Sequence, residues 1–327
     1  MARSRSVRGA IALAASLMLV GLPASAQDAE EVMCDTGGES YTIGSMIWNT
    51  SIPFYSNLIK GEQEQGAKYG ITVDVRNGEG DIGTEVAVVQ QLINEGVDLI
   101  LVSPSDAQGI VPVIQQANEA DIPVIEVNST VGDGAETVTY VGADDFEFGQ
   151  MQGELLKQTL PEGGTVGYIL GHLGVSAQIL REDGLMDSLA GEDNIQIVEK
   201  QSADWDNAQA LAVTQDWLNK YPKGELAAII DQGPEGATAA QFAHENGREE
   251  IKFLMGDYPA DVKTGIEAGY IFGTVNQDPY PQGTTAVDMA CLVLTGRQAE
   301  VPTPTVYLPL PIVTAENVAD YPPAWGG

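Results

Sequence analysis

The feature that most constrains the fold is a regular alternation of short apolar segments and amphipathic helical patterns from Ile43 onward. Short apolar runs rich in β-branched residues are typical of buried parallel strands, and the helices between them supply the crossovers that parallel strands need. Beyond the first strand at Ile43, strands are predicted at Ile71–Val75, Leu99–Ser103, Val124–Val127, Val138–Val141, Thr165–Leu170, Ile195–Glu199, Ala227–Asp231, Lys252–Met255 and Gly273–Asn276. This order predicts an α/β fold of two similar, doubly wound parallel-sheet lobes.

No segment resembles a flexible linker, so the chain must cross between the lobes through ordered structure. Three crossings are predicted, near Gly142–Asp144, near Gln277–Pro279 and in the proline-rich run Val301–Pro311. They would form a three-strand hinge. The first lobe is then predicted over residues 35–142 and 278–304, and the second over residues 143–277 and 305–327.

The N-terminus has the pattern of a secretory signal peptide. Three arginines precede an apolar run from Ala10 to Val20, and Ala24-Ser25-Ala26 supplies small residues before Gln27. The apolar run is too short to span a bilayer. We therefore predict a signal peptide over residues 1–26 and a soluble protein exported to the periplasm.

The net charge excludes one class of partner. Without the three arginines of the signal segment, 12 of the 15 basic side chains remain against 47 acidic ones, a net charge of −35. A polyanion would meet a surface field of its own sign, so nucleic acid is excluded. An anionic small ligand would need a local basic pocket.

Cys34 and Cys291 are the two cysteines of the chain. We predict a disulfide between them, because an exported protein meets an oxidising compartment and the helix that carries Cys291 should return to the lobe that contains Cys34. Two residues give no spacing pattern to test, so two separate thiols stay open as the alternative.

The sequence contains few motifs that indicate catalysis or a cofactor. Gly78-Glu79-Gly80-Asp81-Ile82-Gly83 has the spacing of a dinucleotide-binding loop, but two acidic side chains would oppose a pyrophosphate there. The sequence contains no G-x-S-x-G, no H-E-x-x-H and no cysteine pair with metal-ligand spacing. His172, just past a strand, could touch a ligand, whereas His244 lies on a polar helix face. We expect no enzyme activity, no cofactor and no metal.

Aromatic and polar residues recur where the predicted strands end. Because ligands of open α/β sheets bind outside the carboxyl ends of the strands, these residues are candidates for a common site. Sugars favour such a mixture, since their C–H faces stack on aromatic rings and their hydroxyls pair with planar polar groups. The alternative is that the aromatics cap the core and the polar residues merely end strands. The candidates are Trp48, Phe54, Tyr55, Ser103 with Asp106, Asn128, Arg181, Trp205, Gln232, Asp257 and Gln277.

Seven segments together resemble the periplasmic binding proteins of the ribose/galactose type, which have the type I fold and serve bacterial ABC sugar importers. The segments are Pro53-Phe54-Tyr55, VSPSD at 102–106, ANEADIPVIEVNS at 117–129, REDGL at 181–185, ADWDNAQA at 203–210, MGDYPAD at 255–261 and GTVNQDPYPQG at 273–283. The resemblance implies that Phe54 and Tyr55 stack on one face of a sugar and Trp205 on the other. It also implies that Arg181 and Asp257 bind hydroxyls, and that Gln277 is a polar hinge residue.

Two departures from the resemblance affect the ligand. Ribose receptors have an Asp-Arg pair where this chain has Asn128-Ser129, and Trp48 stands where a small polar residue is frequent. Arg181 as the one evident cation and Asp257 as the one evident carboxylate would nearly neutralise each other, which predicts a neutral monosaccharide or polyol.

The resemblance also implies the protein partners. A monomer that closes on its ligand and docks on a membrane permease is expected. A receptor that presents its ligand to a chemoreceptor or sensor kinase, or a secreted α/β enzyme, is the alternative. The signal peptide and the missing basic helix-turn-helix argue against a LacI-like repressor.

Overall fold

The computed structural model describes residues 34–326, which fold into two α/β lobes. The predicted signal peptide lies outside the described residues. Twelve strands are present in this part of the chain: β1 Thr42–Ile47, β2 Thr72–Asn77, β3 Leu99–Ser103, β4 Val124–Val127, β5 Tyr140–Gly142, β6 Gly164–Leu170, β7 Ile195–Ser202, β8 Ala228–Asp231, β9 Lys252–Gly256, β10 Gly273–Val275, β11 Thr305–Tyr307 and β12 Ile312–Thr314. The predicted two-lobed α/β class is confirmed.

The strands form two sheets with the same order of connections. The first sheet has the order β11-β5-β4-β3-β1-β2, and all of its strand pairs are parallel. The second has the order β12-β10-β9-β8-β6-β7 and is parallel except where β12 runs antiparallel to β10. β11 and β12 are edge strands that the apolar pattern did not predict, because they lie within and directly after a proline-rich run that breaks the pattern.

Helices cover both faces of the two sheets. They are α1 Pro53–Tyr69, α2 Ile82–Glu95, α3 Val111–Glu119, α4 Asp145–Thr159, α5 Ser176–Ser188, α6 Asn207–Lys220, α7 Ala237–Glu245, α8 Ala260–Ala268 and α9 Pro279–Leu294. α1 and α9 pack so closely that a Cβ at Gly61 would collide with the Tyr280 carbonyl, and one at Gly283 with the Leu58 carbonyl. Glycine at these two positions therefore allows the two helices to pack at this short distance.

Each sheet is the centre of a hydrophobic core. In the first lobe, Met46, Val102 and Leu92 belong to a buried cluster between the sheet and α2 and α3. In the second lobe, one cluster packs α4 and α5 against β6, and another packs α6 to α8 against the other face. The interiors of the lobes are thus separately filled, which leaves the ends of the strands to shape the space between them.

The chain passes between the lobes three times. It crosses between β5 and α4, between β10 and α9, and between β11 and β12. The third passage differs in detail from the prediction, which began the second lobe at residue 305. Thr305–Tyr307 pairs in parallel with β5 of the first sheet, so the chain leaves the first lobe only after Tyr307.

A disulfide joins Cys34 to Cys291, with 6.1 Å between their Cα atoms. Cys291 lies on α9, whose contacts are with α1 and the first sheet, so the predicted bridge within the first lobe is confirmed. In the region from Cys34 to Gly326, no helix is both long and apolar enough to cross a membrane.

Candidate ligand-binding site

A cavity of about 370 Å³ lies between the lobes, at the carboxyl ends of strands from both sheets. Its volume is within the roughly 300–1,000 Å³ range of small-molecule sites. Eight of the ten predicted site residues line it: Trp48, Phe54, Tyr55, Asn128, Arg181, Trp205, Asp257 and Gln277. Because these residues follow strands whose carboxyl ends meet at the cavity, side chains that are far apart in sequence lie close together there.

Ser103 and Gln232, the other two predicted residues, lie behind the cavity wall. The Ser103 hydroxyl is 3.3 Å from the Tyr55 hydroxyl. The Gln232 side chain accepts a hydrogen bond from the Gly171 amide at 2.9 Å and donates to the Tyr168 hydroxyl and the Gln178 carbonyl at 2.8 and 2.9 Å. The polar atoms of both side chains make hydrogen bonds within their own lobes. Both residues therefore hold neighbouring residues in place and do not face the cavity. Asp106 is exposed and accepts hydrogen bonds from the amides of its own turn.

Trp48 and Tyr55 form the polar edge of the first-lobe wall. The indole nitrogen of Trp48 donates to the Tyr55 hydroxyl at 2.7 Å, and this hydroxyl donates to Oδ1 of Asn128 at 2.9 Å. Burial raises the pKa of Tyr55 to about 12, so its hydroxyl stays protonated at neutral pH. The chain of hydrogen bonds holds both aromatic rings in fixed orientations.

Three amides join the first lobe to the hinge. Nδ2 of Asn128 donates to Gln282 at 3.2 Å and to Gln277 at 3.4 Å, and Nε2 of Gln282 donates to Gln277 at 2.9 Å. Gln277 follows β10 at the second crossing, and Gln282 is in α9. The cluster therefore couples the position of Asn128 to the hinge.

Arg181 is buried and has an ion partner that the sequence did not reveal. Its Nε donates to Asp145 at 2.8 Å, its Nη1 donates to the Gln232 carbonyl at 2.7 Å, and its guanidinium lies 3.9 Å from the centre of the Phe148 ring. We expected Arg181 and Asp257 to neutralise each other. The direct ion pair is with Asp145, because that residue begins α4, which packs along the helix that carries Arg181.

Carboxyl groups outnumber the single guanidinium on the cavity. Burial raises the pKa of Asp257 to about 6, although the charge of Arg181 lowers it. Glu235 also lines the cavity beside the buried Asp231, and burial raises the pKa of both carboxyl groups. The cavity therefore has more carboxyl groups than the single one that we expected from the sequence. Among the described residues, Oδ1 of Asp257 and Oε1 of Glu235 are buried without a hydrogen-bond partner.

Three lining residues, Asn128, Trp205 and Asp257, have left-handed backbone conformations, with φ of 64°, 53° and 60°. Side chains other than glycine rarely adopt this region, and such positions concentrate at binding sites. Each of the three follows a strand, at β4, β7 and β9 respectively. The unusual backbone turns the chain sharply where the strand meets the cavity.

Aromatic rings approach one another across the cleft. Trp48 of the first lobe lies 6.1 Å from Trp205 of the second, and Phe54 lies 5.5 Å from Trp325, measured between ring centroids. Trp325 was not predicted from the sequence, although a tryptophan in the proline- and glycine-rich segment YPPAWGG was a signal. His172 packs on Trp48 at 5.2 Å but does not line the cavity, and His244 is exposed as predicted.

Two α/β lobes, a three-part hinge and an enclosed cleft define a two-lobed binding protein. Within residues 34–326, no cluster of histidine, cysteine and acidic side chains is arranged to hold a metal ion. The chain matches the periplasmic binding protein domain over residues 43–298 and belongs to that family. This family consists of substrate-binding receptors and not of enzymes.

Several named proteins and solved structures are similar to this chain over most of its length. The ribose import binding protein of Bacillus subtilis is 27% identical over 84% of this chain and 88% of its own length. The xylitol-binding protein of Mycolicibacterium smegmatis is 25% identical over 95% of this chain and 86% of its own. A Caulobacter myo-inositol binding protein with bound myo-inositol is 25% identical, with a TM-score of 0.80 over 86% of this chain and 96% of that one. An ABC transporter solute binding protein of Mycobacterium smegmatis with bound glycerol has a TM-score of 0.80 at 28% identity, over 86% of this chain and 96% of that one.

Proposed function

We propose that this protein is a periplasmic receptor that binds a neutral monosaccharide or polyol between its lobes and delivers it to the permease of an ABC importer. The observation that carries the proposal is the cavity itself, which combines aromatic rings from both lobes with amide, guanidinium and carboxylate groups. Relatives named for ribose and xylitol and structures with bound inositol and glycerol support the same ligand class.

The charges around the cavity favour a ligand without net negative charge. Arg181 already binds Asp145 and the Gln232 carbonyl, so little of its charge is left for a ligand anion. Asp257 adds a carboxyl group with a buried oxygen that no described group satisfies. A hydroxyl can donate to such an oxygen, whereas a carboxylate or phosphate would be repelled.

Contacts across the cleft support hinge closure as the mechanism. The Thr130 amide of the first lobe donates to the Ser176 hydroxyl of the second at 2.9 Å, and two aromatic pairs also meet across the gap. A ligand that touches both lobes favours the closed form by its differential contacts. The closed receptor would then be the form that the permease recognises. The receptor would act as a monomer.

A thermal-shift screen over pentoses, hexoses and polyols tests the proposal. Saturation with a true ligand raises the melting temperature in proportion to the logarithm of its concentration above Kd. We expect at least one neutral compound to produce a concentration-dependent shift that Asp257→Asn abolishes. A panel in which neutral compounds give no shift, while a sugar acid or phosphosugar does, would contradict the assignment.

Export is the second part of the proposal. The family and the ribose import relatives support a periplasmic location, and the sequence predicts cleavage before Gln27. Expression in a bacterium with an export pathway, followed by N-terminal sequencing of the periplasmic fraction, tests both. A mature protein that begins at Gln27 is expected. An uncleaved protein that stays in the cytosolic fraction and still carries the arginines of the signal segment would contradict it.

A further inference from the structure

One end of the cavity is built from apolar residues of both lobes. Phe54 of the first lobe and Trp325 of the second meet edge to face, with 5.5 Å between ring centroids and an angle of 89°. Ile52 and Pro53, which precede Phe54 in the chain, also line the cavity. Trp325 is 8% exposed although it lies close to the end of the sequence.

The C-terminal segment is fastened so that Trp325 faces this end. The Ala260 amide donates to the Trp325 carbonyl at 3.0 Å, and the Ala324 amide donates to the Tyr258 carbonyl at 2.8 Å. Pro259 and Ala260 line the cavity beside Trp325. The segment after β12 therefore extends the second lobe along the loop that follows Asp257, and its last large side chain completes the wall.

The polar groups of the cavity are connected to one another. Asn128 donates a hydrogen bond to Gln277, and the charge of Arg181 acts on Asp257. The six residues of the apolar end offer one polar side-chain atom, the indole nitrogen of Trp325: they are Ile52, Pro53, Phe54, Pro259, Ala260 and Trp325. Asp261, which also borders the cavity, is exposed to solvent. A hydroxyl desolvated against the apolar end would lose its hydrogen bonds to water without replacement.

We propose that the ligand carries an apolar substituent next to its hydroxylated part, and that Phe54 and Trp325 enclose this substituent. The methyl group of a 6-deoxy sugar and the alkyl group of an O-alkyl glycoside have the required chemistry. The inference rests on the proposed function, since the polar end must still hold hydroxyls. It makes Trp325 a specificity-determining residue that the closed cleft brings to the ligand.

Paired ligands test the inference by isothermal titration. The probes are L-fucose with L-galactose, L-rhamnose with L-mannose, and the methyl glycosides of glucose, galactose and ribose with the free sugars. In at least one pair, the substituted member should bind more tightly. A methyl glycoside should gain about fourfold for its added buried carbon, and a 6-deoxy sugar should gain because its partner's 6-hydroxyl would be desolvated without a hydrogen bond. Trp325→Ala should remove this gain, so that the two members of the pair bind with similar affinity, while Trp325→Phe should keep part of the gain.

Two controls separate ligand contact from damage to the C-terminal segment. Tyr321→Leu alters an aromatic residue of the same segment that does not line the cavity, so it should leave the preference intact. Thermal melting verifies that each variant is folded. If unsubstituted members bind as tightly as their partners in every pair, or if Trp325→Ala weakens both members equally, the inference is wrong while the proposed function stands. If neither member of any pair binds while another neutral compound of the thermal-shift screen does, the inference is wrong and the proposed function stands; if no neutral compound binds, both fail.

Discussion

The carboxylate of Asp145 accepts a hydrogen bond from Nε of Arg181 at 2.8 Å, and the two side chains are only 4% and 2% exposed. The pair connects the start of α4 to the middle of α5, and Arg181 reaches the cavity from this position. A buried guanidinium is tolerated only where its charge and its donors are satisfied. Asp145 therefore positions Arg181 without lining the cavity itself.

Asp145→Asn should lower the free energy of unfolding by roughly 3–5 kcal/mol, because it leaves a buried cation without its counterion. Urea denaturation followed by circular dichroism measures the change. Glu154→Gln, which breaks an ion pair with Lys157 on the outside of the same helix, should have a much smaller effect. Equal losses in the two variants would show that Asp145 is not needed to compensate Arg181.

Trp205→Ala should weaken ligand binding while the fold survives. Loss of an aromatic stacking face costs roughly 1–3 kcal/mol by analogy with other planar ligands, which is about a 5- to 150-fold rise in Kd. Trp205 is partly exposed, so its removal creates no core cavity. Isothermal titration and thermal melting measure the two properties.

Trp217→Ala is the matched control, since Trp217 is 3% exposed and belongs to the core of the second lobe. Its loss should reduce stability by about 3–5 kcal/mol and leave the affinity of the folded protein unchanged. An unaltered Kd for Trp205→Ala would remove that residue from the site.

Glu62 should make the protein less stable as the pH rises. This glutamate is completely buried in α1, and burial raises its pKa from 4.5 to about 8. The folded protein thus binds the proton more tightly than the unfolded chain does. Its stabilising contribution is complete below about pH 4.5 and is lost as the pH rises through about 8.

Glu62→Gln keeps the shape of the side chain and cannot ionise, so its free energy of unfolding should fall less between acidic and neutral pH than that of the wild type. Urea denaturation at several pH values measures this slope. The exposed Glu119→Gln in α3 controls for the substitution and should follow the wild type. Parallel curves for Glu62→Gln and the wild type would rule out the buried, protonated glutamate.

The bridge between Cys34 and Cys291 should be present in the exported protein. Cys291 is fully buried, so a failure to alkylate the folded protein would prove nothing. Iodoacetamide should be added in denaturant, with and without prior reduction, and the products weighed by mass spectrometry. We expect modification of both thiols only after reduction; two modified thiols in the unreduced sample would contradict the disulfide.

The affinity for the ligand should change little with ionic strength. A neutral ligand has no net charge to be screened, whereas an anion bound through Arg181 would lose affinity as salt rises. Titrations at low and high salt with the tightest compound of the screen measure this dependence. A strong loss of affinity in salt would mean that the ligand is anionic, and that a cation besides Arg181 acts in the site.

The amino-acid sequence by itself determined the fold class and eight of the residues that line the cavity. Apolar runs separated by helical patterns have few stable solutions other than parallel sheets covered by helices, and parallel strands place their carboxyl ends at one edge. Residues such as Asn128 and Asp257 directly follow predicted strands, and this position alone assigns them to the cleft. The paired cysteines followed from the same topology.

Tertiary structure decided the rest, because it depends on contacts between segments with no periodic relation in sequence. Ser103 and Gln232 also lie at strand ends, but hydrogen bonds to Tyr55 and to Tyr168 keep them behind the wall. Asp145 could be recognised as the partner of Arg181 only once α4 and α5 were packed together. Trp325 reaches the cavity because backbone hydrogen bonds fasten its segment to Tyr258 and Ala260. Strand-end position follows from local pattern, whereas the direction of a side chain and its partner are set by packing over long distances in the chain.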